Sequence, residues 1–377
     1  LYNSYAKTYP NKRLFSLNRS GFAGTQRYSI FPWTGDVSRS WNGLQAQLPI
    51  LLGMSMSGVP YVHSDAGGFA GGEGDNELYI RWLQMAAFTP IFRPHGTALY
   101  EIDKNAFSFP SEAALIDEPY KSLAKEIINL RYRLLPYNYT LAYKQATQGE
   151  PLIAPLYYHF STDTIAAKIE DQFMWGENIL VAPVLQKGVT KRNIYLPKGK
   201  WYSPNGKMYD GNQWIEIEVA LKDIPVFYRE GSIVPTQASL LGNTTSTNNN
   251  SISFTYVPST MPTSYNLYSD DGISKNSLAT NNYKLTNIQA QQTEDTKISI
   301  TVKNSVNNAK PSKHKEVFIG IPLQQKPTSV SINNKTFPVV EASATSITRA
   351  SFWTSRNMLL ISNVDGVGDL KIVVNLK

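Results

Sequence analysis

The chain has 377 residues, enough for two or three domains, and 42% of them are hydrophobic, enough for substantial cores. Its formal charge of +7 is spread among Asn, Thr and Ser in the C-terminal half, without the dense Lys/Arg stripe that nucleic-acid binding needs. With no cysteine, disulfides, thiolate metal sites and cysteine nucleophiles are excluded, and no run of residues reads as a membrane span or a signal peptide.

Residues 1–148 read as alternating strands and helices. Short apolar strands are expected at 14–17 and 28–33, a helix at 44–54 and a third strand at 59–63, after Gly58. A second helix is expected at 76–88, and a fourth short strand begins at 90–93. Leu123, Ile127, Leu130 and Leu134 recur at helical spacing, so 118–148 is expected to be one long helix kinked by Pro136. Strand followed by helix, repeated, implies a parallel sheet with its chemistry at the C-terminal strand ends. Four such units make half of an eightfold barrel and leave two open sheet edges.

From about residue 150 the texture changes to short strands broken by Gly, Pro and Asn, at 179–184, 193–196, 214–219 and 224–228. That is the pattern of a β-sandwich. The polar run at 242–251 (GNTTSTNNNS) is expected to be an exposed loop or linker. Further strands at 252–256, 297–303, 316–321, 329–332 and 371–374 suggest a second sandwich with a lysine-rich surface.

The most informative stretch is RYSIFPWTGD at 27–36. A short apolar, aromatic run ends on the carboxylate of Asp36, with Trp33 three residues before it. A sugar-cleaving barrel presents an acid in this way, where an apolar wall keeps it protonated until it meets a glycosidic oxygen. The plainer alternative is a loop aspartate capping the helix that begins near Trp41. Polar side chains also fall at the other strand ends: Arg19 after the first, His63 and Asp65 after the third, Arg93 and His95 after the fourth. Each has an ordinary explanation: Arg19 pairing with a carboxylate, His63 as a satisfied core histidine, Asp65 capping a turn. Together, with Gly21, Gly24, Gly67, Gly68, Gly71 and Gly72 leaving room near the backbone, they suit a neutral polyhydroxylated ligand.

His63, Asp65 and His95 are the rival metal ligands, but their spacing matches no compact metal motif. No G-x-S-x-G elbow occurs. The segment AGGFAGGEG lacks the Lys and the strand-turn-helix order of a phosphate loop.

These residues resemble glycoside hydrolase family 31, the α-glucosidase, α-xylosidase and α-galactosidase family. RSGFAG at 19–24, QRY at 26–28 and WTGD at 33–36 resemble its acid/base segment. HSDAGGF at 63–69 resembles the next barrel strand, and FRPHG at 92–96 the last-strand motif with its substrate-binding histidine. NILVAPV at 178–184 and GSIVP at 231–235 are similar to the first C-terminal sandwich, and YSDDG at 268–272 to the second.

The resemblance implies an α/β plus all-β chain: the second half of a (β/α)8 TIM barrel (1–148), a proximal β-sandwich (149–238) and a distal β-sandwich (239–377). It implies a retaining α-glycosidase acting on terminal non-reducing α-linked sugars of oligosaccharides, with no cofactor and no metal. Asp36 would be the general acid/base. Arg19, Asp65 and His95 would hold sugar hydroxyls, and Trp33 and Phe69 would form an apolar wall. No residue here matches the family's nucleophilic aspartate, so an N-terminal part of the same enzyme is the expected partner. An α-glucosidase comes first on the family's majority, with α-galactosidase and α-xylosidase as alternatives. The His95-Gly96 pair is similar to the α-xylosidase pattern, and Ser64-Asp65-Ala66 departs from the commoner wording. A non-catalytic carbohydrate-binding protein is the alternative of another class. A periplasmic or extracellular location is the expectation by analogy.

Overall fold

A computed structural model of the chain describes residues 1–72, 74–97, 113–239, 242–244, 251–293, 296–307, 316–341, 351–355, 357–363 and 369–376. It divides into two compact units: Leu1–Arg131, Lys144–Lys198 and Asn212–Val226 in one, and Tyr132–Tyr143, Gly199–Gly211 and Phe227–Lys377 in the other.

The first unit opens with helix α1 (Tyr2–Thr8), strand β1 (Ser16–Asn18), strand β2 (Ile30–Pro32), helix α2 (Trp41–Met56) and helix α3 (Asn76–Ala86). β1 and β2 pair in parallel, Ser16 opposite Ile30 and Asn18 opposite Pro32. Single parallel bridges carry the wall onward, Trp33 to His63 and Ala66 to Pro94. Four chain segments therefore run side by side in the expected order. The expected third and fourth strands at 59–63 and 90–93 are not regular strands. Pro60, Pro90 and Pro94 have no N–H to give a ladder, and Gly67 and Gly68 turn the chain away at left-handed φ of 100° and 84°.

The helices follow their caps and apolar stripes. Ser40 caps α2 by accepting from the Gly43 N–H at 3.0 Å, and Leu44, Leu48, Leu51 and Leu52 are buried along one face. Each such leucine contributes roughly 1.5–3 kcal/mol by leaving water. Asp75 caps α3, accepting from Leu78 N–H at 3.1 Å, and every residue from Leu78 to Ala86 is buried. The expected long helix is two: α4 (Tyr120–Arg133) and α5 (Leu135–Gln148). Proline has no N–H and crowds the preceding turn, so the helix is interrupted at Leu134, next to Pro136, and helical bonding resumes at once, with Asn138 N–H donating to Leu134 O at 3.1 Å.

Beyond α5, strands Ile153–Pro155, Phe173–Trp175 and Ile179–Val181 pair antiparallel and are buried at every position. A two-stranded antiparallel sheet of Lys191–Leu196 and Gln213–Glu218 completes this region.

In the second unit, Lys200–Tyr202 pairs antiparallel with Met208–Asp210 and with Val226–Arg229. Two six-stranded sheets follow among the described residues. Burial alternates along their strands. Ile252, Phe254 and Tyr256 point inward on Ser251–Tyr256, as do Val317, Ile319 and Ile321 on Glu316–Pro322 and Leu370, Ile372 and Val374 on Leu370–Asn375. Period-two burial on both sheets is sandwich geometry. Within the polar run at 242–251, positions 245–250 lie outside the described residues, and Ser251 already opens a strand, paired in parallel with Glu316.

Candidate active site

The parallel wall collects its polar side chains at one end. Asp36 follows β2 by four residues and lies against Arg19, which follows β1 directly. Arg19 Nη2 is 3.1 Å from Asp36 Oδ2, and the two side chains are 64% and 41% exposed. Asp36 caps no helix, because Ser40 caps α2. Thr34 is fixed by donating from its backbone N–H to His63 O at 2.9 Å and from its hydroxyl to Gln47 Oε1 of α2 at 2.6 Å. The loop carrying the acid is thereby tied to both the next wall segment and the helix behind it.

Phe69 is held next to this loop. Its N–H donates to Val37 O at 2.9 Å, and Ser38 bridges Ala70 in parallel. Gly67 and Gly68 permit the approach: a Cβ at Gly67 would lie 2.7 Å from the Tyr79 ring, and one at Gly68 would lie 2.5 Å from Arg39 Cα. The His95 ring packs against Phe69, centroids 5.5 Å apart.

Asp65 is fully buried and gives Oδ1 to Arg93 in a close ion pair. Its Oδ2 finds no hydrogen-bond partner among the described residues. Burial pushes the Asp65 carboxyl up, as does the Asp36 charge, while Arg93, His95 and Arg19 pull it down. Those opposing fields place Arg19, Asp36, Asp65, Arg93 and His95 in one electrostatic neighbourhood. Arg93 Nε also donates to His63 Nε2 at 3.1 Å, and the guanidinium lies over the Trp33 ring, 5.2 Å from its centroid. His63 is buried, and its pKa is lowered to about 4, by desolvation first and then by the Arg93 charge. It is neutral near pH 7 and can accept from a guanidinium. His63 thus sits as a core histidine whose Nε2 is engaged by Arg93 while its buried Nδ1 has no hydrogen-bond partner among the described residues. With Asp65 also held by Arg93, the two do not converge with His95 as metal ligands. No group of three or more His, Asp or Glu among the described residues is placed to hold a metal ion.

Two supporting arginines have no counterpart in the sequence reading. Arg39 donates to Thr97 O at 2.7 Å and to Phe69 O at 3.3 Å, pinning the loop that carries Phe69 to the segment that carries His95. Arg131, fully buried on α4, donates to Ala87 O, Thr89 O and Pro90 O at 3.0, 2.7 and 2.8 Å. It thereby fixes the chain that leads to Arg93. The signal for Arg131 was present in the sequence: it stands four residues after buried Ile127 on the apolar stripe of α4. A charge on that stripe implies a buried acceptor set.

An acid at the end of a parallel wall, flanked by Arg, Trp, Phe and His, is the setting that comparison with known proteins resolves. The Glycosyl hydrolases family 31 TIM-barrel domain pattern matches residues 1–141, and the family's C-terminal domain pattern matches 149–234. The chain belongs to glycoside hydrolase family 31. An α-glucosidase of Saccharolobus solfataricus is 39% identical over 241 residues, 62% of this chain and 33% of that protein. An α-xylosidase of the same organism is 37% identical over 231 residues, 60% of this chain and 30% of that protein. Among solved structures, a family 31 dextranase of Flavobacterium johnsoniae complexed with glucose superposes with a TM-score of 0.86 at 27% identity, covering 99% of this chain and 47% of that one. A family 31 α-xylosidase of Xanthomonas citri gives a TM-score of 0.74 at 29% identity, covering 85% and 35%. The family 31 chain therefore spans about a third of the length of the curated relatives it matches, 33% and 30% for these two.

Proposed function

We propose that this chain supplies the general acid/base of a retaining α-glycosidase, with Asp36 as that group. The observation that carries the reading is the Asp36 carboxylate at the end of a parallel wall, paired with Arg19 at 3.1 Å and followed at once by the Val37 contact that holds Phe69. Asp36 donates its proton to the glycosidic oxygen as the C–O bond breaks, and takes a proton from water in the second half of the reaction. Arg19 and His95, whose side chains are accessible, contact sugar hydroxyls, and Trp33 and Phe69 wall the ring. Asp65 completes the set of polar groups around that subsite.

A retaining mechanism needs a second carboxylate about 5–5.5 Å from the first, and we assign it to another segment of the same enzyme, N-terminal to this one. Apolar exposure supports that partner. Helix α1 has no buried residue, and Tyr9, Phe15 and Phe22 around β1 are 46%, 62% and 73% exposed. In this reading 1–148 is the C-terminal half of the barrel, 149–238 the proximal sandwich and 239–377 the distal one.

The substrate is a terminal α-linked glucoside, with an α-xyloside as the specific rival, since both an α-glucosidase and an α-xylosidase are among the similar proteins at nearly equal identity. The test is Asp36→Asn in the full-length protein, measured on aryl α-glucoside, α-xyloside and α-galactoside substrates. The expected result is a loss of kcat of about 10²–10⁴ on substrates with poor leaving groups, with binding kept. Undiminished turnover would remove Asp36 from the mechanism.

A further inference from the structure

On the glycosidase reading above, we infer that Arg93 is a positioning residue for the subsite: one guanidinium fixes the Asp65 carboxylate, the His63 ring and the Trp33 indole together. Three observations converge on it. First, its partners come from successive segments of the wall: Trp33 after β2, His63 and Asp65 from the third, and Arg93 itself from the fourth. The backbone aligns the same segments, since Ala66 N–H donates to Arg93 O at 3.1 Å and His63 N–H to Pro32 O at 3.2 Å. Second, the Trp33 indole N–H is buried and has no acceptor among the described residues. The orientation of this ring therefore depends on stacking, and the Arg93 guanidinium is what lies over it. Third, Asp65 is fully buried with Oδ1 on Arg93, so Arg93 sets the orientation of the Asp65 carboxylate, and Arg93 itself keeps 21% of its side chain exposed.

Only a planar fork can serve these partners at once. Nη2 donates to the carboxylate, Nε donates to the imidazole, and the face of the same plane meets the indole. Lysine has the charge but is a single point donor and cannot span the three. Mispositioning of a subsite wall by about 1 Å is enough to cost on the order of 10² in rate.

The experiment uses the full-length protein and compares Arg93→Lys and Arg93→Met with the unsubstituted enzyme. Activity on the aryl α-glycosides is read together with the ¹⁵N imidazole resonance of His63, assigned by its loss in His63→Gln. Both variants are expected to lose about 100-fold in kcat, with Arg93→Lys no better than about threefold above Arg93→Met, and both shift the His63 Nε2 resonance. A residue that merely supported the fold would lower the melting temperature and leave kcat of the folded enzyme unchanged. A kcat within threefold of the unsubstituted value in Arg93→Lys would overturn the positioning role alone. So would an unmoved His63 signal in Arg93→Met. Silence of the unsubstituted protein on every substrate would instead remove the glycosidase reading, and the positioning role with it.

Discussion

The barrel wall and the distal sandwich are held together by different means. In the sandwich, inward residues alternate along most strands, and apolar residues such as Ala290, Ile300 and Ile372 meet across three neighbouring strands in register. Order there comes from many similar contacts, none of them special. In the wall, β1 and β2 are three residues long and the next two segments meet their neighbours only at single bridges. Buried or half-buried guanidinium groups take over: Arg39 and Arg93 each tie groups from separate segments, and Arg131 ties the 87–90 stretch to α4. A distributed apolar interface tolerates the loss of one member, whereas a clamp that satisfies several acceptors has no substitute.

That contrast can be broken at its strongest point first. Arg131→Met would remove the buried guanidinium that donates to the carbonyls of Ala87, Thr89 and Pro90. The expected loss is about 3–5 kcal/mol, read by urea denaturation followed by tryptophan fluorescence. A loss under 1 kcal/mol would mean that the loop is held by something else. In the sandwich, Ile300→Ala removes one buried side chain from a regular stack and is expected to cost about 2–4 kcal/mol. Its effect on glycoside turnover should be negligible, and a large loss of kcat would show that the regular stack also serves the active site.

The smallest of these effects depends on pH. His63 has a folded pKa of about 4, well below its ordinary value near 6.5. Between those values the unfolded chain binds a proton that the folded one refuses. Stability therefore rises with pH through that window, is unpenalised above about 6.5, and falls as the pH drops toward 4. Replacing His63 by Gln should flatten the pH dependence of urea stability between about pH 4 and 6.5, a difference of roughly 1–3 kcal/mol at the acid end. An unchanged slope would place the acid sensitivity in the carboxylates.

Much of this was legible in the sequence, and unevenly so. The sandwich strands followed from period-two patterning: 329–332 matches Ser329–Ile332, and 371–374 lies inside Leu370–Asn375. The juxtaposition of Arg19, Asp36, Asp65, Arg93 and His95 was legible because WTGD, HSDAGGF and FRPHG combine rare residue types in order. Regularity of the third and fourth wall segments was not, because apolar runs at 59–63 and 90–93 look like strands while their prolines and the glycines that follow limit pairing to a bridge. Pro136 was visible, but whether it would bend or end a helix depends on what packs around it, and α4 stops at Arg133.

By itself, then, the sequence determined the kinds of residue at each strand end, the order of the segments and the alternation of the sandwich, because these are local properties of side-chain chemistry and periodicity. Only the tertiary structure decided that Asp36 pairs with Arg19 while Asp65 lies buried under Arg93. Two aspartates at neighbouring strand ends look alike in one dimension, and burial, which separates an accessible acid from a buried anchor, exists only after the chain has packed.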